Sequence, residues 1–268
     1  MWLNRPEDVA RFTRAWEGAR DANGRPLVPD SVLARMADVT VEEAWGVLRE
    51  HGYHFQYAGD WRILHEDQVL VGRAVTASYV PTRPDLHALV EEWGRSQGSV
   101  GLHNSFVIDK LERGDVLVVD LYGKIKEGTF AGDNLGTAIA ERTGRGLVVD
   151  GGVRDVVRMG AIPDLNVFHK GVDASGIADV CLQYVNGPVR IGAAVCLPGD
   201  VVLGTIGGVV FIPAHLAEEV CTRSERIRKM DEWGQQRMRE GIHTSGEVDG
   251  VWTDAMKADF ETWLEANP

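Results

Sequence analysis

Cysteine is scarce in this chain. Of its 268 residues only three are cysteine, namely Cys181, Cys196 and Cys221, and they lie far apart. An odd number of scattered cysteines fits neither a disulfide framework nor a zinc site, since both need paired or clustered thiols. We therefore expect reduced thiols and a cytoplasmic location.

Long apolar runs and an excess of positive charge are missing too. No segment approaches the roughly 20 apolar residues that span a bilayer, and the opening MWLNRPEDVARF has acids where a secretory signal has an apolar core. The formal net charge is −12, which disfavours non-specific binding to nucleic acid or anionic membrane. Neither partner is expected. Walker, GxSxG and dinucleotide-binding fingerprints are also absent from the sequence.

Alternating helix and strand patterns make up most of the chain. Strand-like stretches occur at 68–80, 114–123 and 146–150, and a helix is predicted over 134–143 between the last two. Further strand-like pieces then follow one another without helices, and a long charged helix begins near Ala214. This order predicts an α/β protein with both parallel and antiparallel strand pairing.

The segment AGDNLG places Gly132 and Asp133 at the start of the helix predicted over 134–143. The first N–H groups of a helix have no partner within the helix, so such an end can bind a carboxylate or phosphate. Asp133 at this position is also what an ordinary N-cap would be. The motif alone leaves both interpretations open.

The stretch VVDGGVRDV ends a buried strand with Arg154 and Asp155 side by side. A guanidinium can hold a planar carboxylate through two parallel hydrogen bonds, and a carboxylate can bind a hard cation. Because the helix that starts at Gly132 leads into this strand, Asp133 could complete the shell of such a cation. The pattern predicts a site for a small 2-oxo acid; the alternative is an ordinary surface Arg–Asp pair.

Taken together, the motifs GDNL and DGGVRD resemble the signature of the RraA-like family, with Leu135 and Arg154 nineteen positions apart. The stretches LVGRAVTASYVP, RGDVLVVD and PGDVVLGTIGGVVFIPAHLAEEV follow the order of the family, so the resemblance covers roughly residues 30–240. It implies a three-layer β/β/α fold with mixed sheets. Around a core over 66–215, we expect an N-terminal helical extension over 1–65 and C-terminal helices over 216–268 that contact other subunits.

The family includes aldolases that need a divalent metal, and the resemblance implies the following roles. Gly132, Asp133, Asn134 and Leu135 would bind the substrate together with Arg154. Asp155 would be the ligand of Mg²⁺ or Mn²⁺, and Arg154 and Asp133 would take part in catalysis. An acid from the C-terminal helix of a neighbouring subunit would join them, with Asp231 preferred over Glu225 and Glu232.

The implied reaction is the cleavage of a 4-hydroxy-2-oxo acid to pyruvate and a second carbonyl compound, with decarboxylation of oxaloacetate as a side activity. The implied assembly is a homotrimer or homohexamer. Two alternatives stay open: a non-catalytic protein that binds and inhibits ribonuclease E, and a hydratase or sugar-acid lyase that uses the same metal site.

Several histidines are weaker candidates. His51 and His54 are spaced as a metal pair could be, but no third ligand is near them in the sequence, which favours an exposed surface. His103 and Asn104 could line a pocket, and His169 follows a strand and could reach the site of Arg154. The sequence also departs from the family where GDNLG replaces the commoner GELLA, which puts the contacts of the substrate's far end in doubt.

Overall fold

The computed structural model describes residues 5–267. Three helices open it, and the third is fixed by a capping box in which Thr40 and Glu43 each accept a hydrogen bond from the other's backbone N–H. These helices are Pro6–Phe12 (α1), Asp30–Met36 (α2) and Val41–Glu50 (α3). Two short strands follow, Tyr57–Ala58 (β1) and Arg62–Ile63 (β2). The prediction of an entirely helical N-terminal segment is therefore wrong at these four residues, which pair with strands that come much later in the chain.

The middle of the chain alternates strands and helices as expected. Its elements are Leu70–Pro81 (β3), Pro84–Ser96 (α4), His103–Ile108 (α5), Asp115–Thr129 (β4), Asp133–Thr143 (α6), Gly146–Val153 (β5), Val156–Met159 (α7) and Asn166–Val172 (β6). Five strands then follow: Val180–Val185 (β7), Val189–Ile191 (β8), Ala194–Cys196 (β9), Val201–Thr205 (β10) and Gly208–Ile212 (β11). This confirms the predicted run of late strands without helices.

Nine strands form one mixed sheet, in the order β1-β11-β10-β3-β4-β5-β6-β2, with β7 paired to β3. Strands β3 to β6 are parallel to one another, and the remaining pairings of this sheet are antiparallel. The carboxyl ends of β4, β5 and β6 therefore meet at one edge of the sheet, which is where parallel α/β sheets usually bind ligands. Strands β8 and β9 form a separate two-stranded sheet.

Apolar side chains cover both faces of the large sheet. On one face, alternate residues such as Leu117 and Val149 pack in the core formed with α4 to α7, while Val71 and Leu203 pack in a second core with α2 and α3. On the other face, residues such as Val148 pack against β8 and β9. The result is a helical layer, a large sheet and a small sheet, which confirms the predicted three-layer α/β fold.

The C-terminal part is helical, as expected, with Ala217–Arg239 (α8), Ser245–Val248 (α9) and Asp254–Ala266 (α10), and a 3₁₀ turn over Ala214–Leu216 precedes α8. It has a small apolar core of its own, in which Trp233, Met256 and Phe260 pack with Trp252 and Trp263. The three cysteines are buried and free. None of the helices formed by residues 5–267 combines the length and apolar character that crossing a membrane requires.

Candidate functional site

The site begins where β5 ends. All eight residues of this strand are buried, and the chain changes direction directly after Val153. Asp155 adopts the left-handed conformation, with φ 54° and ψ 30°, which aspartate tolerates better than most residues. The turn allows α7 to begin at Val156 and leaves Arg154 and Asp155 partly exposed, at 42% and 39% of their side-chain surface.

The start of α6 lies directly against this turn. Gly132 is the N-cap of α6, and the backbone N–H of Arg154 donates to the carbonyl of Ala131 at 3.1 Å. A Cβ atom built on Gly132 would lie 2.4 Å from Oδ2 of Asp155 and 2.8 Å from Nε of Arg154. The structure therefore brings together the two motifs that the sequence analysis selected, and this close approach is possible only because position 132 has no side chain.

Two ion pairs connect the charged groups. Nε of Arg154 lies 3.1 Å from Oδ2 of Asp155, and Nη1 of Arg158 lies 3.2 Å from Oδ2 of Asp133. The hydrogen bond from Arg158 is the main reason why the pKa of Asp133 is lowered. Asp133 is thus a carboxylate at neutral pH. Arg158 was not predicted, since only the turn of α7 brings it back towards α6.

An open depression of about 510 Å³ adjoins these groups and is lined by Arg154, Asp155 and Arg158. Val157 and Val172 also line it and are 87% and 42% exposed. The size suits a small organic acid, and the apolar rim would reduce the access of water once a ligand or another surface covers it. The depression thus combines two guanidinium groups with two carboxylates, since Asp173 lines it as well as Asp155.

The remaining predicted substrate-binding residues lie on the first turn of α6. The Asn134 side chain is exposed, and its backbone N–H donates to Oδ1 of Asp133 at 2.9 Å. Leu135 is half-buried and packs on the core beneath the helix. In this chain, Leu135 therefore anchors the start of α6, while the backbone of the turn is the part available to a ligand.

Asp231 lies elsewhere in the chain. It is an exposed residue of α8, a helix that packs against α2 and α3 at the half of the sheet that holds β10 and β11. Burial raises its pKa, and the charge of Asp249 adds to this. The chain's own fold does not bring Asp231 to Arg154. Its role, like that of any acid from α8, stays a prediction about a neighbouring subunit.

The other acids predicted on α8 have partners of their own. Arg35 holds Glu225, with Nε 2.7 Å from Oε1, and Lys229 lies 3.5 Å from Glu232. The first contact joins α2 to α8, and the second lies within α8.

His103 belongs to a cluster that the sequence analysis found only in part. Its Nε2 lies 3.1 Å from Oε1 of Glu91, its ring is 4.7 Å from that of His87, and the three residues could hold a metal ion. His87 and Glu91 are four residues apart on α4, a spacing that places both on one helix face. Together with Asn104 they line a cavity of about 180 Å³.

The hydrogen bonds of His103 argue against a metal ion in that cluster. Its Nδ1 accepts the backbone N–H of Leu182 at 3.3 Å, so the proton of the neutral ring must lie on Nε2, facing Glu91. A metal bound at Nε2 would need the opposite tautomer and would leave the N–H of Leu182 without its acceptor. Burial, which lowers the pKa of His103, keeps the ring neutral.

The other three histidines considered in the sequence analysis have ordinary surroundings. His51 pairs with Glu219 at 2.9 Å on the surface, and His54 is exposed. The buried His169 donates from Nδ1 to the carbonyl of Gly171 at 2.9 Å, and burial lowers its pKa. His51 and His54 thus lie on an exposed surface, as expected.

Comparison with known proteins identifies the family. The model of the RraA-like family, described as Aldolase/RraA, matches residues 34–211. The chain belongs to the RraA-like family. The match includes both motifs at the site and every strand of the large sheet from β1 to β10.

Curated relatives of this RraA-like chain are distant. A Halalkalibacterium halodurans protein provisionally named 4-hydroxy-4-methyl-2-oxoglutarate aldolase is 28% identical over 130 residues, which are 48% of this chain and 60% of that protein. Protein DlpA of Legionella pneumophila is 30% identical over 173 residues, 63% of this chain and 25% of DlpA. The chain thus spans less than two thirds of either relative.

Solved structures support the RraA-like fold. Streptomyces coelicolor RraAS2, described as an unusual member of the RNase ES inhibitor RraA protein family, has a TM-score of 0.64 at 24% identity, over 80% of this chain and 98% of that one. An uncharacterized protein from Pseudomonas syringae pv. tomato has a TM-score of 0.64 at 22% identity, over 84% and 100%. The family thus includes both aldolases and RNase inhibitors.

Proposed function

We propose that this chain is a divalent-metal-dependent lyase that cleaves 4-hydroxy-2-oxo acids to pyruvate and a second carbonyl compound. The observation that supports the proposal is the convergence of Gly132, Arg154 and Asp155 at the carboxyl end of β5. A helix N-terminus and a guanidinium there face the same small volume as a carboxylate. This is the combination that a 2-oxo acid and a hard cation need together.

Arg154 holds the pyruvoyl end of the substrate. Its fork of N–H donors matches the C1 carboxylate and the C2 oxygen, and the backbone N–H groups at the start of α6 add partial positive charge nearby. When the C3–C4 bond breaks, negative charge grows on the C2 oxygen. A guanidinium fixed next to this oxygen stabilises the charge more in the transition state than in the substrate.

The donor atoms at the site fit Mg²⁺ or Mn²⁺. The candidate ligand is the carboxylate of Asp155. Asp133, which begins α6 and pairs with Arg158 of α7, would orient water. Within the described residues no histidine or cysteine lines this depression. Oxygen-only donors favour hard cations that keep several waters. The ion would supply Lewis-acid stabilisation of the developing charge.

A proton must also leave the C4 hydroxyl group. We assign this step to a water molecule oriented by an acid, with Asp133 or an acid such as Asp231 of a neighbouring subunit in that role. The same site would accelerate decarboxylation of oxaloacetate, because that reaction passes through the same enolate of pyruvate. A trimer or hexamer would complete the site and cover the apolar rim formed by Val157 and Val172.

The experiment is a pyruvate-release assay on a panel of 4-hydroxy-2-oxo acids. Activity should vanish in EDTA and return with Mg²⁺ or Mn²⁺. Undiminished turnover in chelator would contradict the metal-dependent mechanism, and trapping of a pyruvate adduct with borohydride would indicate a lysine Schiff base instead. If no acid in the panel is cleaved while the protein captures ribonuclease E in a pull-down, the inhibitor interpretation is correct.

A further inference from the structure

A second cavity, of about 390 Å³, shares no residue with the candidate site. It is bounded by the segment at the end of α1, by residues between α3 and β1, and by the turn before β10. Part of its wall, residues 12–16, precedes the region 34–211 that the family model matches. We call it the Asp200 cavity, after the buried acid that lines it.

Asp200 occupies a turn that the chain uses twice. Asp115 begins β4 and Asp200 precedes β10, and each follows a glycine with a positive φ, 85° at Gly114 and 84° at Gly199. In both turns Oδ2 of the aspartate accepts the backbone N–H of the residue three positions earlier, at 2.8 Å. Both aspartates are buried. The two turns differ in what meets the second carboxylate oxygen.

At Asp115 the second oxygen binds a cation, since Nη1 of Arg25 lies 2.9 Å from Oδ1. At Asp200 no group of residues 5–267 donates to Oδ1, and this oxygen is not sealed in the interior. Burial raises the pKa of Asp200, and no cationic side chain opposes the effect. A buried carboxylate needs a cation or further hydrogen bonds. A cation in the cavity could supply them.

Gln56 turns a second acceptor towards the same space. Its Nε2 donates to the carbonyls of Val195 and Phe211, at 3.2 and 2.8 Å. Because both partners are acceptors, the amide nitrogen must face them, and Oε1 points away from them. Gln56 is 9% exposed, and its Oε1 meets no donor in the part of the chain that is described. The cavity thus has two acceptor oxygens, one of them on an acid.

Aromatic rings line the rest of the cavity, namely those of Phe12, Trp16 and Tyr53. Their faces attract organic cations. His215 lies beside Tyr53, with Nε2 3.4 Å from Oη, and burial lowers its pKa, so that its ring is neutral at pH 8. Arg14, at the rim, is exposed and forms no ion pair with residues 5–267, so it can turn into solvent.

We propose that the Asp200 cavity binds a small organic amine, whose ammonium group donates to Asp200 and Gln56. The apolar body of the amine packs against the aromatic rings. An ammonium group carries donors and no acceptor, which matches the two free oxygens. The carboxylate of Asp200 would repel an anionic ligand. The proposal does not depend on the lyase activity, because the two sites share no residue.

Calorimetry with two matched probes tests the proposal. 2-Phenylethylamine and 2-phenylethanol have the same ring and carbon chain, and only the amine is charged. At pH 8, above the pKa of about 7 of Asp200, the Kd of the amine should be at least about tenfold lower. In Asp200→Asn the ratio of the two Kd values should fall to about 1. Circular dichroism verifies that this variant is folded.

Phe12→Ser is a second variant, which removes an exposed ring from the wall and leaves the acid in place. It should weaken both probes by a similar factor and keep their ratio. Phe55→Ser is its matched control, because the Phe55 ring is 68% exposed and does not line the cavity; both Kd values should stay the same. Equal affinity of the unaltered protein for amine and alcohol would overturn the proposal. So would an undiminished preference in Asp200→Asn, or a failure of both probes to bind.

Discussion

Nη1 of Arg25 lies 2.9 Å from Oδ1 of Asp115, with only 5% and 3% of the two side chains exposed. This pair joins the segment before α2 to the first residue of β4, and Asp21 holds the same guanidinium from the other side at 2.7 Å. The N-terminal segment is thus tied to the centre of the parallel sheet by a buried ionic network.

Removing Arg25 should therefore destabilise the whole domain. Arg25→Met leaves Asp115 buried without its cation, and such a loss costs about 3–5 kcal/mol. Urea unfolding followed by circular dichroism measures it. Arg142→Met, which breaks the exposed pair with Asp109, should cost about 0–1 kcal/mol. Equal losses of unfolding free energy in the two variants would show that the buried Arg25 network stabilises the fold no more than an exposed ion pair does.

Gly132→Ala tests the close approach of α6 to the turn after β5. The new methyl group would meet Asp155 and Arg154 at less than 3 Å, so both side chains must move. We expect kcat/KM for pyruvate release to fall at least about tenfold, in line with the sensitivity of catalysis to small displacements. The melting temperature should change little, because flexible side chains can give way.

The control for that variant is Gly46→Ala. Gly46 lies within α3, and no described atom would come within 4 Å of the added methyl group. Alanine favours the helix over glycine by about 0.5–1 kcal/mol, so stability should rise while activity stays the same. An active Gly132→Ala enzyme would show that the site tolerates a shift of Arg154 and Asp155.

Arg154→Lys keeps the positive charge but loses the two parallel hydrogen bonds. We expect a loss of about 2–4 kcal/mol in transition-state binding, or roughly 30- to 1000-fold in kcat/KM. Added metal should not restore this loss, since the defect concerns the substrate. Arg142→Lys serves as the control, and the pyruvate-release assay is the measurement.

Asp155→Asn should behave differently. The amide keeps the shape but removes the charge that holds a cation, so raising the concentration of Mg²⁺ or Mn²⁺ should restore part of the activity. Asp164→Asn is a close control, because Asp164 is an exposed aspartate in the same left-handed conformation, with φ 56°. If Arg154→Lys and Asp155→Asn both retain normal turnover, the two residues form only a surface salt bridge.

The buried Asp200 should make stability depend on pH. Its carboxylate is 3% exposed and accepts the backbone N–H of Leu197 at 2.8 Å, and burial raises its pKa to about 7. The unfolded chain has a carboxyl pKa of about 3.9. Between these values the folded state binds more protons, so this group's contribution to stability decreases as pH rises from about 4 to about 7.

Asp200→Asn should remove that decrease, because the amide oxygen still accepts the hydrogen bond and carries no charge. Relative to the unaltered protein, the variant should gain several kcal/mol at pH 8, on the order of 1.4 kcal/mol for each unit of raised pKa, and much less at pH 5. Urea midpoints at these two pH values provide the test. A difference between the two proteins that is independent of pH would show that Asp200 stays ionised throughout.

The sequence indicated which residues of the candidate site lie together only where those residues are close in the chain. Gly132, Arg154 and Asp155 follow from two motifs joined by one helix and one strand, so their meeting could be expected from the order of the elements. Arg158 could not be expected, because its contact with Asp133 depends on how the short helix α7 turns. The role of Asp231 stays a prediction that rests on the family resemblance, since no contact within the chain tests it.

The limits on predicting the fold were similar. Strands β3 to β6 show apolar runs that end at turns, and these features are visible in one sequence. Strands β1 and β2 have two residues each and owe their conformation to partners that lie more than a hundred positions away. So short a segment carries no periodicity of its own. The pair formed by His87 and Glu91 could have been noticed from its spacing, but not the contact with His103.

The small apolar core of the C-terminal helices affects how unfolding can be observed. Trp233, Trp252 and Trp263 lie together in it, and it is separate from the three cores of the sheet. Three of the eight indole rings of the chain therefore report on α8 to α10 and not on the strands. The midpoint of a thermal melt followed by tryptophan fluorescence would therefore depend strongly on the unfolding of these helices. If they unfold before the sheet, that midpoint precedes the midpoint measured by far-ultraviolet circular dichroism.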